Sequence, residues 1–250
     1  MTLILTQINK HGIVFATDSN ITIGNKGTES GQKIFEIPNL KAALCIAGSY
    51  LVNKEDMSKW MSNHIKKDRS KTLKQFTENL CKTLEKEMLL NEKENGCIMH
   101  ICGFVKDDSS YHPEMWHISN VILTDGEYKN SEFHSSEDFW RRDWQKSKEA
   151  IKDSKGYQYY INGFSPGRIS FNIAGQYLHE FLYQVFWNNS DKNFKEFRPP
   201  QNLDENEHLM KLFMQFIAAM FELSNYSPKL IGGKIQSYKI KSPDPLWSSQ

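Results

Sequence analysis

The sequence has no run of about 18 uncharged apolar residues, the length a helix needs to cross a bilayer, so no transmembrane helix is expected. Its opening, MTLILTQINKHG, is too short and too interrupted in its apolar character for a signal peptide. Net charge is nearly absent. With 31 Lys plus Arg against 30 Asp plus Glu, no long-range field favours nucleic acid or an anionic membrane as a partner. Cysteine is scarce, and the four residues, Cys45, Cys81, Cys97 and Cys102, lie in apolar or helical stretches. Free thiols in a reducing, cytoplasmic setting are the expectation. No internal repeat or interdomain linker appears. What is present is a globular composition of 39% hydrophobic, 24% charged and 12% aromatic residues, which excludes disordered, collagen-like and low-complexity classes. A chain of 250 residues read as one domain can bury about three quarters of its unfolded surface.

Hydropathy patterning divides the chain into strands, then helices, then both again. Residues 2–9 and 13–19 read as strands joined by Lys10-His11-Gly12, and Lys33–Ile37 and Lys41–Ala47 as a second hairpin about Pro38-Asn39. Met57, Trp60, Met61, His64 and Ile65 repeat at helical spacing after Asn53, the predicted N-cap. Thr72 with Gln75 predicts the cap of a second helix bearing Leu73, Phe76, Leu80, Leu84 and Met88. Strand character returns at Cys97–Val105, Glu114–Leu123 and Tyr157–Phe164. Residues 124–156, polar and charged, are expected to form a surface insertion with a short helix around Ser136–Ile151. Ile173–Phe186 and Leu209–Phe221 predict two more helices, the latter capped by Asp204 with Glu207, and Leu230–Ile240 a last strand. This order predicts an α+β domain of two packed antiparallel sheets with helix pairs outside them.

Thr2 follows the initiator methionine, which is commonly trimmed before so small a residue. The free threonine would then carry a hydroxyl nucleophile and an α-amine of pKa about 7.7–8, a usable general base at neutral pH. With a three-residue loop, Asn9 faces Ile13 and Thr2 lies opposite Asn20, so Thr2 and Asp18 project from one face of the ribbon. Lys33 opens the next strand as the natural counter-ion, placed to favour deprotonation of the amine and to stabilise charge developing at the hydroxyl. Gly48 ends the fourth strand, where a residue without a side chain lets a backbone N–H approach a substrate carbonyl. Each residue taken singly has an ordinary reading as a strand-end, turn or solvated residue. Cys97, His100 and Cys102 lie close in sequence, but on a strand Cys97 points away from the other two, so no metal is expected.

Taken together, Thr2-Leu-Ile, His11-Gly-Ile-Val-Phe-Ala-Thr-Asp-Ser19, Thr22-Ile-Gly24, Lys33-Ile-Phe-Glu-Ile37 and Ile46-Ala-Gly48 resemble the β-type subunits of the proteasome and the peptidase subunit of the bacterial two-component ATP-dependent protease, both N-terminal nucleophile hydrolases. The likeness is strongest over the first fifty residues and continues weakly through Ile101-Cys-Gly-Phe104, Gly163-Phe-Ser165 and Ile231-Gly-Gly233. It implies a four-layer αββα sandwich, with Thr2 as nucleophile and its own base, Asp18 and Lys33 as charge relay, and Gly48 as oxyanion donor. Thr22 would pair with the substrate backbone, Ile46 would line an apolar specificity pocket, and Ser165 would be the supporting serine. The family's Asp ahead of the last strand has no counterpart in Tyr226–Gly233, and the spacing from Asp18 to Lys33 is one residue short of the family's usual one.

The function expected on this resemblance is cleavage of peptide bonds through an acyl-ester on Thr2, with a peptide or protein as substrate and no cofactor. Two alternatives share the fold: a connectase-like transpeptidase or ligase using the same threonine, and a catalytically silent assembly or binding protein. The resemblance also implies a homo-oligomer, a ring among its forms, and leaves room for an ATPase partner that the sequence does not name.

Overall fold

Strand β1 (Leu3–Asn9) and strand β2 (Gly12–Thr17) are buried along their whole length: the apolar run Ile13–Ala16 suits a strand covered on both faces, and β1 buries Thr6, Gln7 and Asn9 among its apolar residues by hydrogen-bonding them to one another or to His100. They belong to a computed structural model that describes residues 2–9, 11–22, 28–107, 110–124, 127–137, 157–163, 200–223 and 231–243. The turn between the two strands is shorter than the sequence predicts. Asn9 pairs with Gly12 and Ile4 with Thr17, one residue out of the expected register. Two features set this register. The Asn9 side chain accepts the His11 N–H at 2.8 Å and tightens the turn. Gly12, at φ +150°, enters the strand because a Cβ there would lie 2.2 Å from the Ile240 carbonyl oxygen.

Short strands β3 (Asn20–Thr22) and β4 (Thr28–Ser30) pair as a ribbon beyond β2. They are followed by β5 (Ile34–Ile37), β6 (Ala42–Gly48) and a second ribbon of β7 (Leu51–Val52) with β8 (Glu55–Asp56). Helices α1 (Met57–Lys67), α2 (Leu73–Glu87) and the single turn α3 (Leu90–Lys93) come next, then β9 (Cys97–Asp107), β10 (Ser110–Thr124), β11 (Glu127–Glu137) and β12 (Tyr157–Gly163). Helix α4 (Leu203–Leu223) and strand β13 (Gln236–Lys241) complete the described elements. One sheet has the order β12-β1-β2-β13 and the other β11-β10-β9-β6-β5, with every pairing in them antiparallel. The chain is therefore mixed α+β with antiparallel sheets.

Three apolar clusters hold these elements together. Ile4, Ile8, Ile13 and Phe15 of the first sheet pack against Ala43, Cys45, Cys102 and Met115 of the second. On the other side of the second sheet, Phe35, Leu44, Ile46, Met99 and Ile101 meet Trp60 and Met61 of α1 and Phe76, Leu80 and Leu84 of α2. Leu3, Leu5, Val14 and Ala16 meet Met210, Phe213, Met214 and Ile217 of α4. Strand alternation decides which side a residue joins. It sends Cys97 to the helix side and Cys102 between the sheets, as their odd and even positions predict.

Several local expectations shift. Asn53 is not the cap of α1. It sits at φ 51° in the β7–β8 turn, a conformation asparagine tolerates, and Asp56 caps the helix by accepting the Ser58 and Lys59 amides at 2.8 and 3.3 Å. Thr72 does cap α2, accepting the Gln75 amide at 3.2 Å. Asn202, not Asp204, caps α4 through the Glu205 amide at 2.8 Å, while Asp204 and Glu207 both hold Lys239 of β13. The stretch expected as a surface insertion begins as β11, paired along β10, with Phe133 buried in the helix-side cluster and its amide held by Glu85. Residues 138–156 and the helix expected at 173–186 lie outside the described residues. The last strand starts at Gln236 rather than Leu230, since Gly233 at φ 72° breaks the extended run ahead of it.

Candidate active site

The ends of β1, β2 and β5 converge on one buried ammonium. Lys33, immediately before β5, donates from Nζ to Thr2 Oγ1 at 2.7 Å, to Asp18 Oδ2 at 3.3 Å and to the Asn20 carbonyl. An ammonium has three N–H donors, and here each has an acceptor. The Lys33 and Asp18 side chains are 2% and 0% exposed, and Thr2 is 4% exposed.

The hairpin alone does not bring Thr2 and Asp18 together as the sequence predicts. Continued from Ile4 and Thr17, the observed register sets Leu3 across from Asp18 and Thr2 across from Ser19. Asp18 lies beyond the end of β2 and so is released from strand alternation. Its Oδ1 accepts the Leu3 amide at 3.0 Å and its Oδ2 the Asn20 amide at 3.1 Å, with the Gly232 amide at 3.5 Å. The lysine then bridges carboxylate and hydroxyl.

Burial pushes the Asp18 carboxyl up, against the Lys33 charge and the Leu3 and Gly232 amides, which pull it down. Burial likewise lowers the Lys33 ammonium, and the Asp18 charge and hydrogen bond oppose that fall. The pair is thus held in a dry site by its own hydrogen bonds, where a fixed charge acts on the Thr2 hydroxyl with little screening. The Cys45 thiol, beside Thr6 between the sheets, offers no rival nucleophile, since burial pushes it up to about 12.

Gly48 closes β6 at φ +98°, a left-handed conformation that favours glycine. A Cβ there would meet the Gly96 carbonyl oxygen at 2.2 Å, so sheet packing also requires the glycine. Ile46 donates its amide to the Lys33 carbonyl at 3.0 Å. Alternate amides of a strand leave by the same edge, so the Gly48 amide points past the start of β5, toward the end of the strand where Lys33 stands. Ile46 itself is 1% exposed and packed in the helix-side cluster. Thr22 ends β3, paired with Thr28. Ser165 lies outside the described residues.

Residues to which the resemblance assigns no role complete the site. Gln236 of β13 accepts the Lys33 amide at 2.9 Å through Oε1 and donates to the Gly31 carbonyl, fastening the start of β5 to the first sheet. Ser19 accepts the Lys234 amide at 2.8 Å on its hydroxyl and donates its own amide to the Gly232 carbonyl at 3.3 Å. The Gly-Gly pair at 232–233 is a local sequence signal for this contact. A cleft of about 570 Å³ between the C-terminal end of α1 and β5 reaches Gln32, one residue from Lys33, and is lined also by Phe35, Glu36, Ile65, Lys66 and Arg69. Among the described residues, no group of three or more His, Cys, Asp and Glu side chains is arranged to hold a metal ion, and no helix is long and apolar enough to cross a membrane. No protein-family model and no curated protein matches the chain.

Proposed function

We propose that the chain is an N-terminal threonine hydrolase that cleaves peptide bonds through an acyl-ester on Thr2, in a four-layer αββα sandwich of the N-terminal nucleophile type. The observation that carries this reading is the Lys33 ammonium, 2.7 Å from the Thr2 hydroxyl and tied to the buried Asp18 carboxyl. The three apolar clusters, one between the sheets and one on the outer side of each, support the layered architecture.

Once Met1 is removed, the Thr2 α-amine takes the Oγ1 proton as Oγ1 bonds to the substrate carbonyl carbon. The carbonyl oxygen becomes an oxyanion, for which the Gly48 amide is the donor. Collapse breaks the C–N bond, and the α-amine passes its proton to the departing nitrogen, leaving the ester. Water then repeats the sequence: its oxygen bonds to the acyl carbon, its proton goes to the α-amine, and the ester C–O bond breaks as Oγ1 regains a proton. The Lys33 charge lowers the proton affinity of the amine and stabilises negative charge on Oγ1. An amine acceptor in place of water makes the same intermediate a transpeptidase.

Mass spectrometry with and without a β-lactone probe tests the proposal. The expected result is loss of Met1 and one acyl adduct on Thr2. Retained Met1, or no adduct, refutes it. Assembly as a homo-oligomer is proposed with it, on the apolar side chains of α4, where Leu212 and Phe216 are 47% and 64% exposed. A monomer mass of 29.1 kDa by light scattering, independent of concentration, overturns that part.

A further inference from the structure

We infer that Glu92 is a positioning residue for the oxyanion donor, acting on Gly48 through two turns that it ties together. The inference rests on the reading of Gly48 given above. Glu92 lies on α3, outside the Thr2 site, and is a charged residue only 3% exposed. Among the described residues its carboxylate forms no ion pair. It accepts three backbone N–H groups instead, Oε2 from Asn53 and Leu89, both at 2.9 Å, and Oε1 from Lys54 at 2.7 Å.

Two of those amides belong to residues in a conformation that non-glycine residues avoid. Asn53 and Lys54, at φ 51° and 65°, form the β7–β8 turn, and left-handed backbone outside glycine persists where its surroundings hold it. That turn follows Gly48 by five residues. The third amide, Leu89, begins the turn that runs through α3 to Gly96. The carbonyl of Gly96 accepts the Ser49 amide at 2.6 Å, and it is the atom against which Gly48 is packed. Glu92 therefore joins the chain after Gly48 to the chain beside it, and the position of the Gly48 amide is fixed from both sides.

The far end of the same turn is fastened independently. Asn120, fully buried at the bulge in β10, accepts the Cys97 amide at 2.7 Å and donates to the Lys93 carbonyl at 2.9 Å. With this end anchored, loss of the Glu92 clasp is expected to loosen the Gly48–Lys54 segment rather than the strand β9 behind it. An oxyanion donor works by being in place before charge develops, so a loosened amide lowers the rate of acylation while leaving the nucleophile and its lysine untouched.

The test is the kinetics of β-lactone acylation of Thr2 in Glu92→Gln, read as the maximal rate and the half-saturating concentration. In the variant an NH2 group faces amides that a carboxylate oxygen formerly accepted. The maximal rate is expected to fall about tenfold to a hundredfold in the folded fraction, since displacement of a positioned group by an ångström has that effect. The half-saturating concentration and the pH midpoint of labelling are expected to stay as in the parent, which a general loss of structure would not preserve. If Glu92→Gln does not fold, Glu92→Asp, with both oxygens kept one methylene shorter, is measured in its place with the same split expected. A maximal rate within about twofold of the parent in the folded variant overturns the inference, as does a change confined to the half-saturating concentration. Absence of any Thr2 adduct in the parent protein overturns the functional reading itself, and is seen before a variant is made.

Discussion

Replacing Lys33 with methionine removes the charge while nearly conserving volume, and so isolates the electrostatics of the site. The structure sets the expected size of the effect. An exposed ion pair contributes about 0–1 kcal/mol, but this pair is 2% and 0% exposed, and breaking a buried pair by removing one partner costs about 3–5 kcal/mol. For a domain of this length that loss corresponds to a fall in melting temperature of roughly 6–20 °C. The loss is expected to depend on pH. Without its ammonium, Asp18 is a buried carboxyl whose native pKa is raised further above its ordinary value. A native acid with a raised pKa binds its proton more tightly than the unfolded chain does, so the variant loses stability as pH rises from the ordinary carboxylate range through the raised value. The gap between parent and variant is therefore smaller at about pH 4.5, near the ordinary carboxylate range, than at about pH 8. Asp18→Asn in the Lys33→Met background removes the stranded carboxyl and is expected to recover much of the loss at pH 8. Denaturant unfolding of the parent, Lys33→Met, Asp18→Asn and the double variant at both pH values measures this cycle. A loss below about 1 kcal/mol, or an equal loss at both pH values, refutes the buried-pair reasoning. Acylation of Thr2 is expected to be abolished in every Lys33 variant, arginine included, since a forked planar guanidinium does not fit where a compact ammonium meets three acceptors.

Gly48→Ala is expected to lose about 1–3 kcal/mol from left-handed strain, with further loss from the clash at the Gly96 carbonyl, and to slow Thr2 acylation; parent-like stability and rate would exclude the close packing described. Burial works to raise the Glu207 carboxyl, but hydrogen bonds from Lys211, Lys239 and Ser237 hold it down at about 2. A depressed native pKa gives stability that is present above the ordinary glutamate range and is lost as pH falls through the native value, so the protection of α4 and β13 amides against hydrogen exchange, taken relative to the intrinsic rate at each pH, is expected to fall on acidification, and less so in Glu207→Gln. His100 is lowered well below its ordinary value, by burial first and by neighbouring His117 second. The unfolded chain therefore binds the proton first, and stability is expected to fall as pH drops below about 6.5, a trend that His100→Gln should flatten in acid unfolding curves. Thr6→Val removes the 2.9 Å hydrogen bond to His100 Nδ1 and is expected to lose about 1–3 kcal/mol by thermal denaturation.

Much of this chain is legible in its local sequence. The apolar runs of β1, β2 and β6 and the stripes of α1 and α2 name their elements because period and burial are properties of the sequence itself. The same periods sort Cys97 and Cys102 to opposite sides of one strand. The residue types at the site were legible too: a threonine able to lose its methionine, an aspartate at a strand end, a lysine opening a strand and a glycine closing one. Their meeting was not. The hairpin register differs by one residue from the local reading, because the carbonyl of Ile240, over two hundred residues away, admits only a glycine at position 12. Lys33 meets Thr2 where Gln236, from the other sheet, accepts the Lys33 amide and Ile46 donates to its carbonyl. Glu92 carries no sequence signal at all, since an acid accepting three backbone amides looks in sequence like any solvated glutamate on a helical turn. A sequence fixes local preference by spacing; which side chains share a dry space is decided by contacts between residues distant in the chain, and those exist only once the sheets have packed.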